Sequence, residues 1–384
     1  MARKHRLSLR AILPVALLVG GFQPASSTET RVASMGGVGP YLRDNSNVFA
    51  FPGTISRYAG EAIAELRVRG EDEQYTAGAQ VRISPSSVAG LYLNRAVAVV
   101  IPPEVGAGID AELDRGTTLL YGRRLAGVDW GAGLTVGLDG SDLDGPLEMT
   151  ESASYLALAA GMSSERVDAS FSLETPSATR ETEGETRSWD GFGGGLAARA
   201  FLGSGERLRY VVHGRWRTLV TEAEDESAGL PDASIDYTQT DLTLGLGLTC
   251  NIDADNMVVG VLELVDLYQL RTEEDGAPEN ITRVADLPGL RLGLESRLRS
   301  WLLARVGAAQ RYRVRYEKAD AGEITSERTV RDLEFNMSFG LGLTFGSFLL
   351  DASIHEELFF DGPNFISGQS SAVADRLSLS YTFD

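Results

Sequence analysis

The sequence predicts an all-β fold, a transmembrane antiparallel up-and-down β-barrel of 14 to 16 strands. Three observations predict it: apolar and polar residues alternate along most of the chain, the alternating segments are long, and the polar connections between them alternate in length. A segment near the N-terminus lacks the alternation. It is predicted to plug the barrel.

Alternation is clearest at residues 333–345, LEFNMSFGLGLTF, where odd positions are apolar and even positions are Glu, Asn, Ser, Gly or Thr. Residues 241–250, 130–138, 167–173 and 290–298 show the same period. Successive side chains of a strand point to opposite faces. Each segment therefore has one apolar face and one polar or small face.

Segment length separates a membrane barrel from a soluble β-sandwich, which would also alternate. Soluble strands have about 5 to 6 residues, whereas a tilted membrane-spanning strand needs about 9 to 11. Many segments here reach that longer range. Because lipid cannot satisfy backbone hydrogen-bonding groups, such a sheet has to close on itself.

The connections complete the pattern. Long polar stretches follow the strands that end near residues 138, 174, 217, 270, 316 and 360, whereas residues 161–165, 203–206, 251–256 and 346–347 are tight links. Long outer loops and short periplasmic turns are typical of outer-membrane barrels. Twelve strands are predicted from residue 129 onward. Four earlier candidates lie at 60–69, 75–83, 88–95 and 116–124.

The N-terminus predicts export. Four basic residues within positions 1–10 precede a short apolar run, and small residues at 25–27 offer a cleavage site, so residues 1–27 are predicted to be a signal peptide. Residues 28–59 then form the plug or hatch segment, and residues 60–384 form the barrel. The predicted location is the outer membrane.

The C-terminus ends in strict alternation at Leu377, Leu379, Tyr381 and Phe383. This resembles the terminal signal of outer-membrane proteins, which implies recognition by the barrel-assembly machinery. The final aromatic residue is followed here by Asp384.

Charged residues take the polar face of several predicted strands and therefore face the lumen. This charge ladder comprises Arg207, Arg209, His213, Arg215, Arg217, Arg291, Arg297, Arg299, Arg305, Arg311, Arg313, Arg315, Glu334, Asp351, His355 and Glu357. Two interpretations stay open. The ladder is either an ion-pair lattice that braces the barrel, or an arginine ladder that faces an acidic ladder across a pore and filters solutes by charge.

The predicted plug segment resembles the opening of the outer-membrane family that includes long-chain fatty-acid channels. The matching residues are Met35, Gly36, Gly37, Gly39, Asp44, Asn45 and Pro52. The resemblance implies an N-terminal hatch within a fourteen-stranded barrel and transport of apolar solutes. The Asn-Pro pair of the family is broken here into NVFAFPGT.

Composition and motifs narrow the function. The formal net charge of -19 argues against nucleic acid as a partner, and no cofactor motif, metal-ligand spacing or catalytic motif is present, so no cofactor, metal or enzyme activity is expected. A hydrolase built on His213 or His355 is the enzymatic alternative. The predicted function is a channel for small solutes, with outer-membrane lipid as its surroundings. The alternative is a structural or secretion-associated scaffold barrel without conductance.

Overall fold

The structure is a computed structural model, and it describes most of the chain after the predicted signal peptide. The described residues are 28–69, 72–97, 115–143, 149–183, 185–203, 207–227, 233–274, 279–320, 325–354 and 374–383. The predicted signal peptide and the ladder residues His355 and Glu357 lie outside these ranges. No helix in the described ranges is both long enough and apolar enough to span a membrane.

One short helix, three 3-10 helices and sixteen strands make up the described residues. The helix α1 is Glu29–Ser34, and the first, second and third 3-10 helices are Gly39–Tyr41, Asn45–Val48 and Pro52–Arg57. The strands are β1 Glu61–Arg69, β2 Asp72–Ser84, β3 Ser87–Ala96, β4 Arg115–Leu125, β5 Val128–Leu143, β6 Met149–Ser163, β7 Val167–Thr182, β8 Glu185–Leu202, β9 Leu208–Ser227, β10 Ala233–Asn251, β11 Asn256–Glu274, β12 Asn280–Arg299, β13 Leu302–Asp320, β14 Thr325–Phe345, β15 Phe348–Ile354 and β16 Ala374–Thr382.

The strands form one closed antiparallel barrel. Each strand pairs with its sequence neighbours, and β1 pairs with β16 to close the sheet, with Glu61 opposite Thr382. The predicted up-and-down barrel is confirmed, and so are the four early strand candidates and the upper bound of sixteen strands. The fourteen strands implied by the family resemblance are two fewer than the structure contains. We call the end where β1 begins the near end, and the opposite end the far end.

An apolar belt covers the outside of the barrel. On β14 the odd-numbered residues point outward, so Leu333, Phe335 and Phe345 are 58%, 60% and 59% exposed. On β10 and β12 the even-numbered residues point outward, and most of the exposed leucines of these strands are among them. A soluble protein rarely exposes a contiguous apolar surface of this extent. The belt, together with the closed sheet, makes this a transmembrane barrel.

The central strands continue well past the belt. Strands β7 to β14 have 15 residues or more, up to 21 in β14, and their far-end portions carry polar residues on the outer face. Most of the stretches predicted as long loops after residues 138, 174, 217, 270 and 316 are thus paired strand, which corrects that prediction. The stretch predicted after residue 360 lies outside the described residues up to position 373. Backbone pairing satisfies the peptide groups of a strand even where both of its faces are polar. We call this projecting wall the collar.

The barrel packs its core around the N-terminal segment, residues 28–60. Met35, Val38, Val48 and Ile55 of this segment have no exposed surface. They pack against inward side chains of the wall, such as Val259 on β11. The N-terminal segment therefore fills the inside of the barrel at its near end.

Candidate functional site in the barrel lumen

The N-terminal segment crosses the barrel from one side to the other. Helix α1 lies against β13 to β16, the first 3-10 helix lies against β9 and β10, and the third 3-10 helix lies against β3 to β7. The wall residues in contact are close to the near ends of their strands. The segment therefore obstructs the lumen at the near end. Other side chains line the far half of the lumen.

A buried ion-pair network holds α1 to the wall. Arg31 donates two hydrogen bonds to the carboxylate of Glu295 on β12, at 2.8 and 2.9 Å, and a third of 2.8 Å to Asp44 of the same segment. Arg305 on β13 donates to Glu295 at 2.6 Å and to Asp351 on β15 at 2.6 Å. Burial alone would lower the pKa of Arg31, but the neighbouring carboxylates outweigh it and raise the pKa above its usual range. The charges compensate one another, as buried charges must.

Further side chains of the wall bind the backbone of the segment. Arg199 on β8, paired with Asp168 at 2.8 Å, donates to the carbonyl oxygens of Pro40 at 3.0 Å and Leu42 at 2.6 Å. The backbone N–H of Gly36 donates to the hydroxyl of Ser338 at 3.0 Å. These contacts satisfy polar groups that would otherwise be buried without partners.

A third contact joins the segment to the first two strands. The amide of Asn45 donates to Glu61 on β1 at 2.5 Å, and its oxygen accepts a bond of 2.6 Å from Gln80 on β2. Asp44 accepts a bond of 2.9 Å from the N–H of Ser46 and so caps the second 3-10 helix. Side chains from opposite sides of the barrel thus hold one short stretch of the segment.

Inward glycines leave room for the segment at the wall. A Cβ at Gly247 on β10 would lie 2.8 to 3.0 Å from three atoms of Tyr41, closer than side chains tolerate. Tyr41 is 1% exposed and also meets the ring of His213 edge-on at 5.4 Å. The alternation of Leu and Gly on β10 therefore provides an apolar outer face and a seat for this ring.

The structure places every described residue of the predicted plug motif within this segment. Met35 is fully buried, Gly36 and Gly37 adopt positive φ angles of 72° and 75°, Gly39 opens the first 3-10 helix and Pro52 opens the third. Left-handed backbone at two successive positions favours glycine. That these residues form a movable hatch stays a prediction.

Charged side chains of the ladder pair with acids on nearby strands, both beside the segment, where Arg291 also donates to the carbonyl of Gly36 at 3.4 Å, and farther along the wall. Arg217 binds Glu174 at 2.6 and 2.8 Å, and Arg291 binds Glu263 at 2.9 Å. Arg313 binds both Asp286 and Glu334. Glu334 and Asp351 contact arginines of the same part of the wall rather than facing them across the lumen. These contacts are those of an ion-pair lattice, and solute selection by the ladder stays a prediction.

The remaining described members of the ladder differ in their surroundings. Arg311 lies 3.7 Å from Asp286 and Arg297 lies 3.9 Å from Asp255, whereas Arg207, Arg209, Arg215, Arg299 and Arg315 are exposed. His213 is buried beneath Tyr41, and its Nδ1 has no hydrogen-bond partner among the described residues. A Ser-His pair at this histidine is therefore not formed in the described part of the chain.

A cavity of about 250 Å³ opens on the inner face of β13 and β14, on the far-end side of the segment. Its lining residues are Arg313, Arg315, Glu317, Arg328, Val330, Asp332 and Glu334. Three of these are basic and three are acidic. The cavity is polar and close to neutral, so it favours hydrated solutes over ions of one sign.

An apolar cluster lies inside the wall farther toward the far end. It consists of Ala153, Tyr155, Ala178, Trp189, Ala223 and Tyr237 from β6 to β10. Trp189 has no exposed surface, although the outward residue next to it, Asp190, is exposed. These residues form a packed apolar cluster on the inner side of the collar, whose outer face is polar.

The C-terminal residues lie at the near end of the seam between β15 and β16. Leu377, Leu379 and Tyr381 point outward, and the ring of Tyr381 lies 4.5 Å from that of Phe348 and 6.0 Å from that of Phe383. Recognition of these residues by the assembly machinery stays a prediction.

Sequence reasoning missed several residues of this site. Arg199 is a single charge among apolar and small residues, whereas Arg31, Glu61 and Gln80 lie in segments without a marked charge pattern. For Arg199 the available signal was the isolation itself, because an ionised side chain in an apolar stretch needs a partner.

No protein-family model matches the chain, and no curated protein matches it. Solved structures are similar at low identity. The toluene transporter TodX of Pseudomonas putida is 10% identical, with a TM-score of 0.40 over 93% of this chain and 98% of that one. The toluene transporter TbuX of Ralstonia pickettii is 11% identical, with a TM-score of 0.39 over 94% and 99%.

The alcaligin outer-membrane receptor FauA of Bordetella pertussis is 10% identical, with a TM-score of 0.44 over 76% of this chain and 60% of that one. Likenesses this distant carry no conclusion about this chain. Its function has to follow from the contacts described above.

Proposed function

We propose that the protein is an outer-membrane channel for small solutes, in which the N-terminal segment is the gate. The observation that carries this proposal is the way the segment is held. Side-chain hydrogen bonds and ion pairs to several strands dock it, while the strands close the barrel through their own backbone pairing. The segment can therefore leave its seat without opening the sheet.

The lining supports passage of small solutes. The lumenal face of β13 and β14 carries the polar cavity of about 250 Å³, whose three basic and three acidic residues balance one another. The apolar cluster around Trp189 is packed within the collar and exposes almost no surface to a solute.

The test compares permeability with the docking of the segment. The protein is reconstituted in liposomes, and entry of a small aromatic hydrocarbon and of a disaccharide is measured for the native chain, for Arg31→Met and for Arg299→Met. Arg299 is exposed, and within the described ranges it donates only to the carbonyl of Leu298, at 3.0 Å, so it is the matched control. We expect Arg31→Met to raise the permeability and Arg299→Met to leave it unchanged. Equal permeability of all three, with the segment of Arg31→Met undocked, would refute the gate.

A scaffold barrel without conductance is the second candidate, and one feature of the collar favours it. Asp190, Glu222 and Asp236 lie directly opposite one another on β8, β9 and β10, and all three are exposed on the outer face. Like charges in register are unfavourable unless a cationic partner covers them. Liposomes that admit neither solute, for the native chain and for both variants, would favour the scaffold over the channel.

A further inference from the structure

Several guanidinium groups converge on one aromatic ring at the near end of the barrel. Phe201, at the near end of β8, has its ring centre 4.1 Å from the guanidinium of Arg43, 5.2 Å from that of Arg199 and 6.0 Å from that of Arg209. Arg43 belongs to the N-terminal segment, whereas Arg199 and Arg209 belong to β8 and β9. The cluster therefore spans the boundary between the segment and the wall.

A fourth arginine reaches the same place. Arg57 and Arg43 both donate to the carbonyl oxygen of Ser164, in the turn between β6 and β7, at 2.7 and 2.8 Å. Two cations that share one acceptor repel each other. In keeping with this, burial and the charge of Arg57 lower the pKa of Arg43 to about 10.

Carboxylates do not balance this positive charge. Asp168 pairs with Arg199 at 2.8 Å, and Asp129 lies between Arg57 at 3.9 Å and Arg124 at 3.7 Å. Within the ranges that the structure describes, neither Arg43 nor Arg209 has an acidic partner, and the buried Nε of Arg43 has no acceptor.

The contrast with Arg31 shows that the imbalance is local. Arg31, in the same segment, binds two carboxylates, and the whole chain is acidic, with a formal net charge of -19. A half-buried cation such as Arg43 without a counter-charge is costly, whereas an anion placed between it and the exposed Arg209 would relieve the repulsion. The near end thus holds a local excess of positive charge.

We propose that this cluster is a binding site for a small oxyanion of the phosphate class, held between Arg43 and Arg209 beside Phe201. Guanidinium groups bind phosphate through their N–H donors. Among the described residues Arg209 donates to no acceptor, and Arg43 uses only its Nη2, which donates to the carbonyl oxygens of Ser164 and Glu165 at 2.8 and 2.6 Å. Phe201 and Arg209 are on the inward phase of their strands, so the site opens to the near-end mouth and not to the lipid-facing surface. The proposal does not depend on transport.

The test measures anion binding by the full chain in phosphate-free detergent. Inorganic phosphate is titrated by calorimetry into the native protein and into Arg43→Gln, Arg209→Gln and the control Arg299→Gln, with chloride keeping the ionic strength constant. Because hydrogen bonds to charged groups are among the stronger ones, we expect each of the first two variants to bind about tenfold to a hundredfold more weakly. The control should bind like the native protein.

Arg209→Gln keeps the test valid if Arg43→Gln fails to fold, because Arg209 makes no hydrogen bond to the segment among the described residues. A second arm repeats the comparison in nanodiscs with and without phosphatidylglycerol and with no free phosphate. Arg209-dependent binding in that arm alone would identify a lipid headgroup as the source of the oxyanion. Absence of binding in both arms, or binding that Arg43→Gln and Arg209→Gln leave unchanged, would overturn the proposal.

Discussion

Replacing Arg31 by methionine should undock the N-terminal segment while the barrel stays intact. The substitution keeps most of the side-chain length but removes three hydrogen bonds of 2.8 to 2.9 Å to Glu295 and Asp44. It leaves two carboxylates with fewer partners in a buried place. Removing one partner of a buried ion pair costs about 3 to 5 kcal/mol.

That cost falls on the docking of the segment, because the strands pair through their own backbone. A factor of ten in an equilibrium corresponds to about 1.4 kcal/mol, so the open form should become about a hundred to a few thousand times more populated. Hydrogen exchange of the backbone amides reports this population directly. We expect faster exchange in peptides from residues 28–58 and unchanged exchange in peptides from β9 and β10.

Two comparisons sharpen this experiment. Arg299→Met should show native exchange in every peptide. The double variant Arg31→Met with Glu295→Gln should lose less docking free energy than the sum of the two single variants, because the residues interact directly. Native protection of residues 28–58 in Arg31→Met, or a uniform loss over all strands, would refute the assignment of Arg31 as the anchor of the segment.

Further predictions concern the belt and the seat of the segment. Leu244→Arg, in the middle of the outer face of β10, should destabilise the barrel by about 2 to 4 kcal/mol in lipid. Thr238→Arg, beyond the belt, should cost less than about 0.5 kcal/mol. Urea unfolding in vesicles measures both free energies, and equal costs would contradict the position of the belt. In variants that keep a single tryptophan, lipids with brominated acyl chains should not quench the fluorescence of Trp189. Quenching would show that the apolar cluster faces the lipid and not the lumen. Gly247→Val should cost about 1 to 3 kcal/mol by overpacking against Tyr41. In a Tyr41→Ala background the same substitution should cost much less, because the ring that it clashes with is gone. Equal costs in the two backgrounds would show that the ring does not use this seat. In the quenching experiment, the brominated acyl chains should instead quench the exposed Trp130, Trp216 and Trp301, each in its own single-tryptophan variant.

The barrel could be predicted because one face of each strand meets lipid. That contact imposes a period of two on residues such as Leu333 to Phe345, and the period marks both the existence of each strand and the direction of its faces. Beyond the belt the outer face of a strand meets water instead of lipid. Residues 222–227 of β9, EAEDES, therefore carry no apolar alternation although their backbone is paired, and they were predicted as a loop.

The site was predictable in part. Alternation along the strands predicted that Arg217, Arg305 and Arg313 point inward. It did not predict their acidic partners, because an ion pair depends on which strands are neighbours and on the register between them. The glycines of β10 could be recognised as small inward residues. Their purpose as a seat for Tyr41 needed the path of the segment, which has no periodic pattern.

The place where the N-terminal segment joins the barrel has a consequence for folding kinetics. Gly60 links the segment to β1, and its carbonyl accepts a bond of 2.7 Å from Phe383, so the segment enters at the seam between the first and last strands. That seam pairs the first strand with the last, which are more than 300 residues apart in sequence, and this makes it a slow contact to form. We therefore expect insertion of the segment and completion of the ring to occur together, as the final and rate-limiting event of assembly.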